Sequence, residues 1–414
     1  MVRAVLALGI VLASVAVTRA DGPLPVDPAR YGWSASSLRT AMSVLAAADG
    51  EGLDPGRYRI PLNQSGEPDR SALTGAVLSY MQDVSIGRSD LQAVDADIGL
   101  PPRAQNAQDL LEEALRTGRL APMLAGAAPS HPGYVALKAA LARESDPDRR
   151  DILAANMERW RWLPARLEPD RIEVNAASAE LVLWLGGRQV LSSRVIVGKP
   201  ATPTPILRAE GAALTVNPAW NVPRSIAVKE ILPKLKRNPA WLKSQDMVLL
   251  NGPAGDPYGL TVNWHALSAA NFPYSIRQAP GAKNPLGLVK LELPNRFDVY
   301  LHDTPAKAGF QRANRAQSHG CIRVEQILPL ASYALSAGPD AIARIQDAIV
   351  QGETLSLPLS RTLPVYILYW TAFADADGKI RFVRDIYGRD RRMIAAMHRL
   401  PVALAAVEPA CRKA

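Results

Sequence analysis

Residues able to do covalent chemistry are concentrated in two short segments of the chain's second half. One reads Tyr300-Leu-His302-Asp303, and the other reads Ser318-His319-Gly320-Cys321-Ile-Arg323. A cysteine thiolate is a strong nucleophile, and a neighbouring imidazole can take the thiol proton. Two of the five histidines lie within nineteen positions of Cys321. The residue types therefore indicate acyl transfer through a thiol, with either His302 or His319 as the base.

The residues around Cys321 offer further support for a nucleophile. Gly320 leaves room for backbone N–H groups to face a developing oxyanion. Losing one such donor costs about 2.7–4 kcal/mol of transition-state stabilisation. A helix predicted to follow Cys321 would also favour its thiolate. The alternative is that Cys321 is a small buried apolar residue, the commonest role of a lone cysteine.

The cysteine count narrows the kinds of site that the chain can hold. Its 414 residues contain only two cysteines, which exclude a disulfide-stapled scaffold and a multi-cysteine zinc or iron–sulfur site. Cys411 lies in a charged tail and is interpreted as incidental. A Cys321–Cys411 disulfide is possible in an oxidising compartment, but it would disable the nucleophile. No nucleotide-binding or zinc-protease motif is present, so we expect neither a cofactor nor a metal.

The net charge indicates which partners the chain can attract, and the first twenty residues indicate where in the cell it acts. The formal charge of +9 favours acidic partners. Arg3 is followed by a short apolar run from Ala4 to Thr18, and this pattern predicts a signal peptide at residues 1–20. An uncleaved membrane anchor is the alternative. Nucleic acid is not expected as a partner of an exported chain with few interleaved aromatic residues.

Two kinds of periodicity divide the rest of the chain. Residues from about 22 to 165 have apolar residues at helical spacing, and alternating β-branched patterns begin at residue 171. A charged break containing Pro147 is expected at residues 146–151. Helices are predicted at 37–49, 71–84, around 110–115, and at 132–143, 152–162, 225–235, 324–337 and 340–351. Strands are predicted at 171–175, 180–185, 189–198, 247–250, 287–293, 299–302, 364–373 and 379–383.

The turns and one long insertion complete this outline. Gly186-Gly187 predicts a two-residue hairpin, and Asp375-Ala-Asp377-Gly378 predicts a second hairpin turn in preference to a calcium loop. The stretch 221–285 is long and broken by proline and glycine. It holds a basic cluster that is either a solvated face or an attraction to an acidic partner, formed by Lys229, Lys234, Lys236, Arg237 and Lys243.

The segment from His302 to Val324 resembles the signature of the YkuD-type L,D-transpeptidases. In that signature a histidine is followed, after a gap, by Ser/Thr-x-Gly-Cys-x-Arg/Asn, here Ser318-His-Gly-Cys-Ile-Arg323. Further matches extend over roughly residues 150–390 and are similar to the large, periplasmic Gram-negative branch of the family. They include Met157-Glu-Arg-Trp-Arg-Trp-Leu-Pro164, Asn217-Pro-Ala-Trp-Asn-Val-Pro223, Phe272-Pro-Tyr274, Gln278-Ala-Pro-Gly281, Asn284-Pro-Leu-Gly287 and Pro364-Val-Tyr-Ile-Leu-Tyr-Trp370.

The resemblance implies an α+β protein with a helical N-terminal scaffold domain and a mostly-β, sandwich-like catalytic domain. The expected boundaries are 21–165 for the scaffold domain and 166–358 for the catalytic domain, with a lid at about 221–285. Residues 359–414 are expected to form a C-terminal hairpin and tail. The small peptidoglycan-binding module common in this branch has no room between Leu141 and Arg159.

The resemblance also assigns roles to matching residues. Cys321 is the expected nucleophile, His302 the general base in preference to His319, and the backbone carbonyl of Asp303 the group that orients the base. Backbone N–H groups of His319 and Gly320 are expected to bind the oxyanion. The expected substrate-binding residues are Arg323, Tyr300, Ser318 and Trp220.

The implied reaction joins two tetrapeptide stems of peptidoglycan, a donor and an acceptor, in a 3→3 cross-link between diaminopimelate residues. It requires no cofactor. The alternatives are hydrolysis of the same thioester by a carboxypeptidase or amidase, attachment of an outer-membrane protein to the wall, and a non-catalytic wall-binding protein. The resemblance implies a periplasmic protein, or one anchored in the inner membrane and facing the periplasm, that carbapenems inhibit.

Overall fold

The computed structural model describes residues 31–63, 66–88, 91–101, 103–335 and 339–398. The expected signal peptide, the anchor alternative and Cys411 lie outside these residues. Among the helices that are described, none has the length and apolar character needed to cross a membrane.

Helices dominate the N-terminal part, as the apolar spacing predicts. Leu73, Val77 and Met81 line one face of the second helix and are fully buried, in a cluster shared with the first, fourth and fifth helices. Asn106 and Asp69 cap two of these helices through their side chains, which accept backbone N–H groups. The helices are α1 Ala35–Ala46, α2 Arg70–Ile86, α3 Leu91–Val94, α4 Ala107–Arg116, α5 Leu120–Ala125, α6 Pro132–Leu141 and α7 Pro147–Arg161.

The predicted charged break at 146–151 is wrong, because it is the first turn of α7. Pro147 occupies the first helical position, where its missing N–H costs nothing. The side chain of Asp146 accepts the N–H of Asp148 and caps the helix. The helix therefore begins five residues before the predicted Ile152.

The second part of the chain is built on a large sheet. Its path is β1-β5-β13-β2-β3-β4-β12-β10-β9, and an additional β5–β9 pairing joins the path into a closed ring. The helical N-terminal region and the mostly-β C-terminal domain confirm the predicted α+β class. The strands are β1 Ile98–Gly99, β2 Arg171–Asn175, β3 Glu180–Leu185, β4 Arg188–Gly198, β5 Ile206–Val216, β6 Trp220–Asn221, β7 Met247–Leu249, β8 Ile276–Gln278, β9 Val289–Glu292, β10 Leu301–His302, β11 Ala316–Ser318, β12 Ile322–Val324, β13 Leu355–Leu368, β14 Ala372–Ala374 and β15 Ile380–Phe382.

The predicted hairpins are both present. Strands β3 and β4 pair antiparallel across Gly186-Gly187, whose positive φ values of 57° and 75° suit a two-residue turn. Strands β14 and β15 pair antiparallel, and the Asp375 carboxylate accepts backbone N–H groups of Asp377 and Lys379. That carboxylate therefore closes the turn.

Residues between β5 and β9 form a separate small layer. The three strands β6, β8 and β7 form their own sheet, beside α8 Arg224–Ile226, a π-helical turn Ala227–Ile231, α9 Leu232–Arg237 and α10 Trp241–Ser244. An apolar cluster that includes Leu235, Trp264 and Phe272 fills it. The stretch predicted as a lid is thus a packed unit, which we call the insertion.

The last strands and helices tie the two parts together. Strand β13 pairs with both β2 and β5, so the boundary expected at residue 358 falls inside a central strand of the sheet. The C-terminal helices are α11 Ile327–Ala334, α12 Pro339–Gln351 and α13 Arg389–Met397. Arg389 of α13 pairs with Asp95 of the N-terminal part at 2.6 Å.

Candidate active site

Two parallel strands bring the chemistry-bearing segments together. Strand β10 pairs with β12, with Leu301 opposite Ile322 and His302 opposite Arg323. The N–H of Ile322 donates to the carbonyl of Tyr300 at 3.0 Å. This register places Cys321 opposite Tyr300, two residues before His302 on the neighbouring strand.

Cys321 is a free, half-buried thiol immediately before β12. The prediction that it precedes a helix is wrong, because Ile322–Val324 pairs with β4 and β10, and α11 begins only at Ile327. No helix N-terminus therefore stabilises the thiolate. Burial raises the pKa of Cys321, while hydrogen bonding from Tyr300 lowers it. In the neutral state the thiol donates to the carbonyl of Asp298 at 3.6 Å.

His302 is 4% exposed, and its environment keeps the imidazole neutral. Burial, followed by the positive charge of Arg323, lowers its pKa to about 3. The backbone of Asp303 opposes this shift, but Nδ1 has no partner in hydrogen-bond geometry among the described residues. A neutral imidazole can accept a proton, so the resting pair is a neutral thiol beside a neutral base.

The side chain of Asp303 has a structural contact, as expected for a residue that is not a triad acid. Its Oδ2 accepts the N–H of Leu288 at 2.9 Å, and its Oδ1 pairs with Lys307. A Cβ at Gly287 would overlap this carboxylate, which explains the glycine there. The carboxylate thus fixes the loop before β9.

The structure changes the roles expected of Gly320 and Ser318. The N–H of Gly320 donates to Ser318 Oγ at 3.1 Å, so it is not free to bind an oxyanion. Ser318 Oγ also donates to the carbonyl of Cys321 at 2.6 Å, and the residue is 2% exposed. Ser318 therefore shapes the loop rather than meeting a substrate. The N–H groups of His319 and Cys321 make no hydrogen bond within the described residues and are the available donors.

The side chain of His319 faces the insertion. Its Nε2 pairs with Glu230 in the π-helical turn and lies 3.4 Å from Lys199 Nζ. An imidazole already engaged by a carboxylate on an exposed face is a poor candidate for the base that serves Cys321. This geometry agrees with the preference for His302.

Tyr300 adjoins the thiol, Trp220 contacts Tyr300, and Arg323 lies across from His302. Burial and the nearby Cys321 hold the pKa of Tyr300 far above its usual range, so its hydroxyl stays protonated. Trp220, half-buried on β6, hydrogen-bonds with that hydroxyl. Burial lowers the pKa of Arg323, and its buried Nε has no partner within the described structure. Tyr300 thus lies next to Cys321, Trp220 is joined to it through Tyr300, and Arg323 lies opposite His302.

Sequence reasoning missed two residues that support this site. Thr204 is fully buried; its Oγ1 accepts the N–H of Gly198 and donates to the carbonyl of Gly320, both at 2.8 Å. Lys290 on β9 lies opposite His302. No local pattern marks Thr204, whereas a lysine within the apolar alternation of β9 is a weak signal.

The support of Thr204 continues into the C-terminal part. Arg389 Nη1 donates to the carbonyl of Thr204 at 3.0 Å, and Tyr387 Oη donates to the carbonyl of Gly198 at 2.6 Å. Because Arg389 also pairs with Asp95, the loop that carries the nucleophile is connected both to helix α13 and to the N-terminal part of the chain.

Several known proteins are similar to this chain. A protein named "Putative L,D-transpeptidase" from Haemophilus influenzae is 35% identical over 207 residues, which are 50% of this chain and 42% of that protein. The chain thus spans less than half the length of this curated relative. An L,D-transpeptidase mutant of Enterococcus faecium aligns with 80% of this chain and 100% of its own, at 13% identity and a TM-score of 0.23. L,D-transpeptidase 1 of Mycobacterium tuberculosis aligns with 48% of this chain and 61% of its own, at 15% identity and a TM-score of 0.21.

Family models cover most of the described chain. Residues 169–365 match the L,D-transpeptidase catalytic domain YkuD, and residues 29–141 match the Scaffold domain. The first range contains the cysteine, the buried histidine and the strands that join them. The chain therefore contains a YkuD-type L,D-transpeptidase catalytic domain at residues 169–365, preceded by a Scaffold domain at residues 29–141.

Proposed function

We propose that the protein is a peptidoglycan L,D-transpeptidase that forms 3→3 cross-links between diaminopimelate residues of two stem peptides. The observation that carries this proposal is that a free thiol and a buried, neutral imidazole lie on adjacent parallel strands, two residues apart in the register. The same arrangement supports acyl transfer in general. The stem-peptide substrate comes from the family to which the catalytic domain belongs.

In the first half-reaction, Cys321 attacks the carbonyl between diaminopimelate and the terminal D-Ala of the donor. The thiol proton moves to His302 as the carbon–sulfur bond forms, and the oxyanion is bound by the N–H of Cys321. Collapse of the tetrahedral intermediate breaks the amide bond, and His302 returns the proton to the leaving D-Ala amine. The product is a thioester with the donor tripeptide.

In the second half-reaction, the side-chain amine of diaminopimelate on the acceptor attacks the thioester carbonyl. His302 takes the proton of the attacking amine and returns it to the departing sulfur. The bond energy held in the thioester drives this step, so no nucleotide is consumed. We also propose a periplasmic location and covalent acylation of Cys321 by carbapenems, whose strained lactam carbonyl can replace the donor carbonyl.

Incubation with disaccharide-tetrapeptide, followed by mass spectrometry, tests the proposal. We expect a dimer that has lost one D-Ala, and no product from Cys321→Ala. Tripeptide without dimer would instead establish hydrolysis of the thioester. If the folded parent protein gives neither product, the proposal that it is an enzyme acting on this peptide is refuted.

Replacing Thr204 by valine is expected to slow transpeptidation although it leaves Cys321 and His302 in place. Valine has the same shape but leaves the Gly198 N–H and the Gly320 carbonyl without their buried partner, at a cost of about 1–3 kcal/mol of stability. Displacement of the nucleophile loop should lower kcat by roughly 10–100-fold. Thr204→Ser, which keeps the hydroxyl, should restore most of the rate. Equal rates for the valine and serine variants would show that these hydrogen bonds do not position the loop.

A further inference from the structure

Lys290 carries a largely buried positive charge near the candidate active site, and the mechanism above gives it no role. It lies on β9, directly opposite His302 in the antiparallel pairing with β10. Its Nζ is 4.1 Å from the centroid of the Tyr300 ring and 2.7 Å from Glu292 Oε2. The side chain is only 19% exposed, so Glu292 and the aromatic face hold the ammonium in one place.

Tyr300 connects this ammonium to the reacting sulfur. Its ring contacts Lys290 and lies edge-on to the His302 ring, with centroids 5.5 Å apart. Its protonated hydroxyl, which also interacts with Trp220, donates toward Cys321. The Tyr300 side chain therefore contacts the Lys290 ammonium through its ring and Cys321 through its hydroxyl.

The sulfur needs such support because its surroundings otherwise oppose ionisation. Burial raises the pKa of Cys321, and the Asp298 carboxylate acts in the same direction. The groups that favour the thiolate are the Tyr300 backbone N–H and hydroxyl, followed by the charge of Lys290. Arg323 also interacts favourably with the charged sulfur. No helix N-terminus contributes, since a strand follows the cysteine.

We propose that Lys290 is a positioning residue for the reactive thiolate: held by Glu292, it packs on the ring of Tyr300 and orients the Tyr300 hydroxyl toward the sulfur of Cys321. The positive charge of Lys290, held on the other side of the Tyr300 ring, also stabilises the negative charge of the Cys321 thiolate. When the S–H proton leaves, the sulfur exchanges the Asp298 carbonyl, which accepts from the thiol, for the Tyr300 hydroxyl, which donates to the thiolate. This inference rests on Cys321 being the nucleophile of the proposed function.

Alkylation of the thiol by iodoacetamide, which reacts with thiolates, measures the effect directly. In a Cys411→Ala background one thiol remains, and intact mass gives its alkylation rate from pH 6 to pH 10. We expect Lys290→Met, which keeps the stem on Tyr300 but removes the charge, to move the profile to higher pH. A shift of one pKa unit corresponds to about tenfold slower alkylation at pH 7. Lys290→Arg should restore most of the parent rate.

A second substitution separates action through Tyr300 from a purely structural contribution. In a Tyr300→Phe background, Lys290→Met should shift the alkylation profile much less than in the parent. A full shift in that background would overturn the role of Tyr300 as the connection. A Lys290→Met protein that is less stable but has the parent profile would overturn the proposal itself.

The alkylation assay needs no stem peptide, so it is independent of the proposed function. A shifted profile in a protein that forms no dimer would refute transpeptidation and support the role of Lys290. If the profile is unshifted and the parent protein makes dimers, the role of Lys290 is refuted and transpeptidation is supported.

Discussion

Replacing His302 by glutamine is expected to lower kcat for transpeptidation by about 10²–10⁴-fold, the usual contribution of a positioned base. Glutamine fills a similar volume and offers an amide but cannot accept a proton. The loss should be large here because burial raises the pKa of Cys321, so little thiolate exists without a base.

The pH dependence of this loss follows from the pKa of His302. Burial lowers that pKa to about 3, so the imidazole is already neutral, and able to accept a proton, throughout the range from pH 5 to pH 8. Protonation of His302 should disable the base only as the pH falls toward 3. The ratio of parent to variant kcat should therefore be nearly constant between pH 5 and pH 8, measured by dimer formation.

His319→Gln is the matched control, because it changes the other candidate base by the same substitution. Its imidazole pairs with Glu230 of the insertion, so we expect a much smaller decrease in kcat than for His302→Gln. The denaturation midpoints of both variants should be measured beside the rates. A folded His302→Gln enzyme with the parent rate, together with an inactive His319→Gln enzyme, would show that His319 rather than His302 is the general base.

The sequence predicted those elements whose signals are local. The helix predicted at 71–84 is Arg70–Ile86, because its apolar spacing and the Asp69 cap act within a few turns. The Gly186-Gly187 hairpin is present because only two residues tolerant of positive φ fit that turn. The candidate nucleophile and base also come from a compact motif with a recognisable spacing.

Predictions that depended on distant partners failed. Strand β12 has only three residues, and it is defined by its neighbours β4 and β10 rather than by a local alternation, so a helix was predicted after Cys321. The Gly320 N–H was predicted to be free, yet the side chain of Ser318 folds back to accept it. Such contacts depend on the loop conformation, which no spacing reveals.

The supporting residues were missed for the same reason. The part played by Lys290 depends on β9 lying beside β10, which places it against Tyr300. The part played by Thr204 depends on its loop meeting the loop that carries Gly320. Both contacts arise from the way in which the strands and loops of the sheet come together, so they cannot be inferred from the residues of a single sequence motif.

Replacing Arg161 by methionine is expected to lower the free energy of unfolding by about 3–5 kcal/mol, the cost of breaking a buried ion pair. Arg161 and Glu158 of α7 are both fully buried, with Nη1 and Oε2 3.0 Å apart. Methionine keeps much of the volume but removes the guanidinium that Arg161 supplies to the buried Glu158 carboxylate. The measurement is urea denaturation followed by circular dichroism.

The contacts of this pair explain why the loss should spread beyond α7. Arg161 Nη2 donates to Tyr134 Oη on α6 at 2.8 Å and to the backbone carbonyl of Glu51. Glu158 Oε1 accepts the N–H of Arg88, just after α2, at 2.6 Å. The pair thus joins four parts of the N-terminal region, and its loss should loosen all of them.

Two control variants distinguish a buried ionic network from general sensitivity to substitution. Arg116→Met removes an exposed pair with Glu113 and should leave the unfolding transition unchanged. The double variant Arg161→Met, Glu158→Leu removes both charges and should be more stable than Arg161→Met alone, because it leaves no buried carboxylate that has lost the Arg161 cation. A double variant no more stable than the single one would show that packing, rather than charge, sets the cost. Because none of these residues contacts Cys321 or His302, kcat measured well below the unfolding transition should stay close to that of the parent.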